Sequence, residues 1–201
     1  MRARFCFKVS PIDPSRRDFE AHFIPADALV RADGRVRVRR LLDAWWRVRS
    51  PTPYDLCGGL LFWSTVGPWG FAEDQADFLP VTLDYVSYAG LWFEAAAEMG
   101  ECASGERTLH IHGAHLLLTW RDGAGTLRCV HPSELAPLEF ESLRFVSAVR
   151  EASSFYQQVR GELLRQLDYA WNDPPRRPHV GAMRAGLPSY EGQHGRLLAL
   201  P

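Results

Sequence analysis

The stretch that decides the fold is Thr108 to His131, TLHIHGAHLLLTWRDGAGTLRCVH. Its first arm, residues 114–120, is apolar and rich in residues that favour strands, and residues 126–131 form a second arm of the same kind. Between the arms, the Asp122-Gly123 pair supplies the positive φ that a tight turn needs. We therefore predict a β-hairpin over 108–131, on which the rest of the sheet and the helices pack.

More strands are predicted on the N-terminal side of this hairpin. Residues 4–9 alternate between polar and apolar, which is the period of a half-buried strand. Asp33-Gly34 lies between two alternating runs and indicates a second hairpin over about 28–38. The apolar run 60–66 has the length and composition of a central strand.

Three stretches carry the apolar spacing of amphipathic helices, namely residues 39–49, 84–99 and 138–171. Asp84 is expected to cap the second of these helices. Ser153-Ser154 is expected to divide the third into two. The sequence thus predicts an α+β fold, an antiparallel sheet built on hairpins with helices packed on it.

The composition fits one domain followed by a tail. The chain has 201 residues, of which 46% are hydrophobic, enough to build a single core. After Trp171 the composition changes to Pro, Gly, Arg and His. We predict one α+β domain over 1–172 and a tail over 173–201 that is either poorly ordered or docked without a core of its own.

Charge and hydropathy exclude several classes of function. The 23 basic and 24 acidic side chains nearly balance, which argues against a nucleic-acid-binding protein. No apolar run approaches the roughly 20 residues of a transmembrane helix, and the N-terminus has no apolar signal core. The four cysteines are widely spaced, with no CxxC pair. We expect reduced thiols in a bacterial cytoplasm, no membrane contact and no cofactor.

Histidines cluster in the 108–131 hairpin, three on its first arm and one on its second: His110, His112, His115 and His131. If Trp120 pairs with Thr126, the register places His115 opposite His131 and Leu117 opposite Cys129. Imidazole is a good zinc ligand, so these histidines are the candidates for a metal site. The hairpin has no HExxH motif and no acidic ligand nearby, and we expect surface histidines rather than a bound metal.

Arginine and tryptophan supply the candidates for a binding surface. Arginines recur through residues 31–49, and the alternation in 35–39 would align three of them on one strand face. Such a row suits an acidic protein partner. The chain also has seven tryptophans and an acidic loop at 73–77, and protein interfaces favour Trp, Tyr and Arg. The predicted partner-binding residues are Arg35, Arg37, Trp46, Trp69, Glu73, Asp74 and Asp77.

No catalytic constellation is found in the sequence. Ser64 lacks the GxSxG frame of a serine nucleophile. Cys57 precedes two glycines, whose backbone suits an oxyanion hole, but no local histidine would activate its thiol. A buried, inert thiol is therefore the expected role of Cys57, and we assign no catalytic residue.

The layout resembles that of the small cytoplasmic immunity proteins that bacteria encode beside secreted polymorphic toxins. The likeness lies in the short N-terminal strand Phe5-Cys6-Phe7, the Trp-rich middle, and the hairpin followed by helices that contain Phe155-Tyr156-Gln157-Gln158-Val159. It covers about residues 1–170. The resemblance implies a protein that occludes an essential surface of one cognate toxin, and the near-neutral charge differs from that of the acidic nuclease inhibitors in the group.

These observations leave three hypotheses, of which a non-enzymatic, immunity-type binding protein is the first. The second is a metal-dependent enzyme or metal-binding domain that uses the histidine cluster. The third is a structural part of a larger assembly, in which an exposed edge strand such as residues 4–9 adds to the sheet of a partner.

Overall fold

The computed structural model of the chain describes residues 1–9, 22–47, 57–63, 69, 83–111, 114–131 and 135–201. Within these residues, eight strands form two antiparallel sheets of four strands each, and helices pack against them. The predicted α+β fold class is confirmed. No helix in these ranges combines the length and the apolarity needed to cross a bilayer.

The first sheet has the strand order β2-β1-β3-β4. Its strands are β1 (Arg2–Lys8), β2 (Phe23–Pro25), β3 (Cys57–Trp63) and β4 (Leu83–Tyr85). The alternation in β1 directs Phe5 and Phe7 into the main core and Cys6 to the other face, where Phe23 and Leu61 cover it. Both faces of β1 are therefore buried, and β2 and β3 pair with its two edges.

The second sheet has the strand order β5-β6-β7-β8. Its strands are β5 (Ser104–Ile111), β6 (Ala114–Arg121), β7 (Ala124–His131) and β8 (Leu138–Glu141). The β6–β7 turn is the predicted Asp122-Gly123, with φ angles of 51° and 84°. Because Arg121 pairs with Ala124, this turn has only two residues, the form that follows the twist of a hairpin.

The register of the hairpin departs from the prediction by one residue over most of its length. Trp120 lies opposite Gly125 rather than Thr126, and Leu116 rather than Leu117 lies opposite Cys129. A bulge between His115 and Leu116 then shifts the register, so that His115 lies opposite His131 as predicted.

The predicted hairpin at 28–38 forms as a turn with very short arms. Gly34 has a φ of 78°, and the amide of Arg31 donates to the carbonyl of Arg35 at 2.8 Å. Val30 and Val36 form a single bridge. Its arms are short because residues 26–29 and 39–45 are helical, which corrects the predicted strand at 28–29.

The helices in the described ranges are α1 (Ala26–Leu29), α2 (Arg39–Trp45), α3 (Ala89–Glu101), α4 (Ser142–Ala170), α5 (Arg177–Ala185) and α6 (Glu191–Ala199). Asp84 belongs to β4, and a 3₁₀ turn precedes α3, so the predicted cap at Asp84 is wrong. Residues 138–141 form β8 instead of the first turn of α4. Helix α2 ends at Trp45, before the predicted end at residue 49, and Trp46 and Arg47 form a turn. Residues 48–49 lie outside the described residues.

Helix α4 runs unbroken for 29 residues and packs against β1 and α3. The expected break at Ser153-Ser154 does not occur, because both hydroxyls donate to the carbonyl of Arg150, at 2.8 and 3.0 Å. Its buried face follows the three- and four-residue spacing that the sequence showed, with Phe145, Val149, Tyr156 and Leu163 inward.

Residues 173–201 dock on the helices. Helices α5 and α6 bury Val180, Met183 and Leu197, which belong to the same core cluster as the side chains of α3 and α4. The segment has no separate core, because its apolar side chains complete the core of the preceding elements.

Candidate functional site

An open groove of about 880 Å³ lies between α2 and the C-terminal end of α4. We call it the Trp46 groove. One wall comes from residues 36–46 and the other from residues 162–176. Its apolar and aromatic lining includes Val36, Val38, Leu42, Trp46, Tyr169 and Ala170.

Helix α2 places Trp46 at the groove by directing its neighbours inward. Leu41, Leu42 and Trp45 are buried, and the Trp45 ring lies 6.3 Å from that of Phe7. Successive residues on a helix point about 100° apart, so the next residue, Trp46, turns away from the core. Its side chain is half-buried, and its ring contacts His179 of α5 edge-on at 5.8 Å.

Three aromatic rings at this end of the molecule each have an arginine over them. The guanidinium of Arg176 lies 5.5 Å from the ring centre of Trp46, and Arg165 and Arg177 lie 5.7 Å from the rings of Tyr169 and Trp171. Tyr169 is 70% exposed and Trp171 is 45% exposed. Aromatic rings and arginines held in this way lose little conformational freedom when a partner covers them.

Among the described residues, the charges that line the Trp46 groove are balanced by local ion pairs, with the exception of Arg37. Arg176 pairs with Asp173 at 3.2 Å, and Arg39 pairs with Asp43 at 3.8 Å. Arg165 beside the groove donates two hydrogen bonds to Glu162, which lower the pKa of that carboxyl. The groove therefore presents neutralised pairs around an aromatic floor.

A second hollow, of about 550 Å³, adjoins the groove and shares Arg37, Arg39 and Asp43 with it. We call it the arginine recess. It is lined by Val9, Arg37, Arg39, Arg40, Asp43, Ala44 and Arg47, four cationic side chains and one anionic. Among the described residues, only Arg39 of these arginines has an ion pair. Within the described ranges, the guanidinium groups of Arg37, Arg40 and Arg47 therefore have no anionic partner.

The structure brings together two of the predicted partner-binding residues, since Arg37 and Trp46 both line the groove. Arg35 lies in the turn before them, 81% exposed, with Asp33 at 3.9 Å. Because residues 35–39 run from a turn into the first residue of α2, Arg35, Arg37 and Arg39 do not share a strand face.

The other predicted partner-binding residues do not contribute to this groove. Trp69 is buried, and its indole N–H donates to the carbonyl of Ala136 at 2.7 Å, so it has a structural role. Glu73, Asp74 and Asp77 lie outside the described residues.

Sequence reasoning missed the second wall of the groove. Tyr169 and Arg176 of this wall, with Trp171 and Arg177 near them in sequence, fall at the boundary that was drawn between the domain and its tail. The available signal was local, since Tyr169 and Trp171 are followed within six residues by two arginines, the composition of an interface.

The histidines of the second sheet form a cross-strand row on its exposed face. The ring centres of His110 and His115 are 4.5 Å apart, and those of His115 and His131 are 6.2 Å apart. His112 lies outside the described residues. Within the ranges that the structure describes, no three His, Cys, Asp or Glu side chains are placed to hold a metal ion.

Two arrangements that resemble nucleophilic sites have structural explanations. Ser153 Oγ lies 2.8 Å from Nδ1 of His194, but Ser153 is fully buried and its hydroxyl proton is donated to the carbonyl of Arg150. Nδ1 must then carry the proton in this contact, so His194 is not oriented as a general base toward Ser153. Burial raises the pKa of the Cys6 and Cys129 thiols, which keeps them unreactive. Ser64 and the side chain of Cys57 lie outside the part of the chain that the structure describes.

Comparison of the chain with protein-family models, with curated proteins and with solved structures finds no match in any of the three.

Proposed function

We propose that this protein is a non-enzymatic binding protein that holds an acidic protein partner at the Trp46 groove and the arginine recess. The observation that carries the proposal is the juxtaposition of the aromatic floor around Trp46 with Arg37, Arg40 and Arg47, which have no ion pair among the described residues.

The groove has the composition of an interface hot spot. Trp, Tyr and Arg are enriched among the residues that supply most of the binding energy in known interfaces, and Trp and Tyr bury a large area at a small cost in side-chain entropy. Tyr169 and Trp171 are exposed well beyond what core packing requires. A partner that covers them would remove apolar surface from water and keep the arginine contacts at its rim.

The arginine recess selects the charge of the partner. A carboxylate that enters it meets planar guanidinium groups that donate in pairs, which is the strongest neutral-pH recognition of an acid. The rest of the surface is not basic overall, since the chain carries a net charge of -1. Local cation density on a neutral molecule favours an acidic protein patch over the continuous phosphate backbone of a nucleic acid.

An immunity protein that neutralises a cognate bacterial toxin in the cytoplasm is the form of this function that we favour. Such an inhibitor needs a preformed surface and no chemistry of its own. The groove walls are parts of α2 and α4, elements fixed by the core, and a rigid surface binds with a smaller entropy cost. The resemblance in layout to immunity proteins is the basis for the toxin as the partner.

The experiment is to co-express the full chain with the product of the adjacent gene and to measure their complex by calorimetry and the rescue of growth. We expect a one-to-one complex. Trp46→Ala should weaken it by 10-fold or more, about the effect of truncating a hot-spot residue. Arg37→Glu should also weaken the complex, and its effect should grow as the ionic strength falls, because it places a negative charge against the acidic partner.

Arg128→Glu is the matched control, because Arg128 is an exposed arginine on β7 of the second sheet and lines neither the groove nor the recess. It should leave affinity and rescue unchanged. Equal losses from Arg37→Glu and Arg128→Glu would contradict the assignment of the surface. The absence of any complex with the adjacent gene product would contradict the immunity-type function.

A further inference from the structure

Among the described strands, the long one at the edge of a sheet is β5, not the N-terminal strand. Residues 4–9 were the expected edge, but β1 lies between β2 and β3. The other terminal strands of the two sheets, β2, β4 and β8, have only three or four residues. Strand β5 has eight, contains no proline, and ends its sheet on one side. Proteins ordinarily shorten, bend or cover such an edge.

The backbone hydrogen bonds of β5 show which residues face outward. The amide of Asp122 donates to the carbonyl of Ala103 at 3.0 Å, so this opposed pair is a hydrogen-bonded one. Hydrogen-bonded and non-bonded pairs alternate, and the odd-numbered residues of β5 therefore bond to β6. The N–H and C=O groups of Ser104, Glu106, Thr108 and His110 point away from the sheet.

We propose that β5 pairs with β5 of a second copy of this chain, antiparallel and centred on Thr108, to join the two second sheets into one sheet of eight strands. The outward residues are also the exposed ones, because the side chains of Glu106, Thr108 and His110 all lie on the solvent face of the sheet. Two copies of this edge present complementary donors and acceptors to each other about a two-fold axis.

Charge disfavours two alternative registers of this pairing. The outward groups pair only if even-numbered residues face even-numbered residues, which leaves a few registers. Centring on Arg107 opposes two arginines, and centring on Glu106 opposes two glutamates, both unfavourable on a sheet. Centring on Thr108 instead places Glu106 opposite the partner's His110, twice by symmetry. Seven residues, 105–111, then pair in each strand.

The side chain of Arg107, on the face of β5 that packs on α3, does not prevent pairing with a second strand. Arg107 points under the sheet, where it donates to Glu94 at 2.7 Å and also to Glu98 of α3. Its charge is thereby compensated within its own chain. An inward-pointing, unpaired charge on an edge strand would oppose pairing, and here the two ion pairs remove that obstacle.

Sedimentation and light scattering across a dilution series test the pairing directly. We expect the wild-type chain to form a dimer. Thr108→Pro removes one outward N–H and leaves the bonds to β6 intact, so it should shift the chain to monomer with little change in Tm. Thr108→Val keeps the N–H and should remain dimeric. Glu106→Lys places a cation opposite His110 and should also weaken the dimer. It replaces Thr108→Pro in this test if the proline variant fails to fold.

Disulfide trapping tests the register in a Cys102→Ser background, since Cys102 is exposed. Thr108→Cys should cross-link rapidly, because opposed Cα atoms in a hydrogen-bonded pair are about 5.5 Å apart. Glu106→Cys, displaced from its symmetry mate, should cross-link slowly. A monomeric wild type at all dilutions, or equal trapping rates, would overturn the proposal. Neither result bears on the Trp46 groove, which lies on other elements.

Discussion

The hydroxyl of Tyr190 donates a hydrogen bond of 2.6 Å to the backbone carbonyl of Val86, a residue 104 positions earlier in the chain. The ring of Tyr190 packs edge-on against Phe93 at 5.2 Å and lies over Gly90, where a Cβ would approach it to 2.7 Å. This one side chain anchors the start of α6 to the start of α3. The C-terminal segment is thereby part of the core.

We expect Tyr190→Phe to lower the free energy of unfolding by about 1 kcal/mol, because the Val86 carbonyl loses its buried donor while the ring stays packed. Urea unfolding followed by circular dichroism measures the change. Tyr169→Phe is the control, since Tyr169 is 70% exposed and its loss of a hydroxyl should leave stability unchanged. Equal effects of the two substitutions would show that the 2.6 Å contact contributes nothing.

Two glycines give opposite predictions for the same substitution. At Gly58 a Cβ would lie 2.7 Å from the carbonyl oxygen of Cys6, so Gly58→Ala must push β3 away from β1. We expect a loss of about 1–3 kcal/mol, the usual cost of overpacking. At Gly161, in the exposed face of α4, nothing lies within 4 Å of a Cβ. Gly161→Ala should raise stability by about 0.5–1 kcal/mol, and thermal unfolding of both variants measures the pair.

The features that sequence predicts are those set by neighbouring residues. The Asp122-Gly123 turn forms as expected because two adjacent residues with positive φ are sufficient to specify it. The buried stripe of α4 follows its apolar spacing. The hairpin register departs by one residue between Leu116 and Arg121, because the turn contains only Asp122 and Gly123, whereas pairing of Trp120 with Thr126 would need a longer loop.

Sequence predicts only the wall of the candidate site whose residues are close together in the chain. Arg37 and Trp46 stand out within one run of arginines and tryptophans. The facing wall, with Tyr169 and Arg176, reaches them only because α4 crosses the core and α5 then folds back beside α2. The central position of β1 likewise depends on β2 and β3, whose pairing with it joins distant parts of the chain.

Burial lowers the pKa of His194 from its ordinary value of 6.5, and its Nδ1 contacts Ser153. The unfolded chain therefore binds a proton at this site at a higher pH than the folded chain does. Stability from the neutral imidazole is present above pH 6.5 and is lost as the pH falls through the lower folded pKa. The docking of α6 on α4 should weaken in acid.

Urea unfolding of the wild type and of His194→Gln, each at about pH 8 and about pH 5, isolates this histidine from the others. We expect the wild type to lose more stability between the two conditions than the variant does. His131→Gln controls for the loss of a surface imidazole, since His131 is exposed on β7. A pH dependence that is identical in the wild type and His194→Gln would contradict the assignment.

Arg107 joins β5 to α3 through two carboxylates, Glu94 at 2.7 Å and Glu98. These glutamates are four residues apart on one helix and repel each other when the guanidinium is absent. Burial lowers the pKa of Arg107, but the hydrogen bonds and the negative charges of Glu98 and Glu94 together raise it by more, so the net shift is upward. All three side chains are about a quarter to two fifths exposed, so solvent weakens the interaction.

We expect Arg107→Met to cost about 1 kcal/mol, near the upper limit for a partly exposed ion pair. The loss should shrink at high salt, which screens the repulsion between Glu94 and Glu98. Glu94→Gln in the Arg107→Met background should recover part of the stability, because it removes one of the two like charges. A double-mutant cycle measures this coupling. If Glu94→Gln were equally destabilising in both backgrounds, the three side chains would be energetically independent and the contact would serve packing alone.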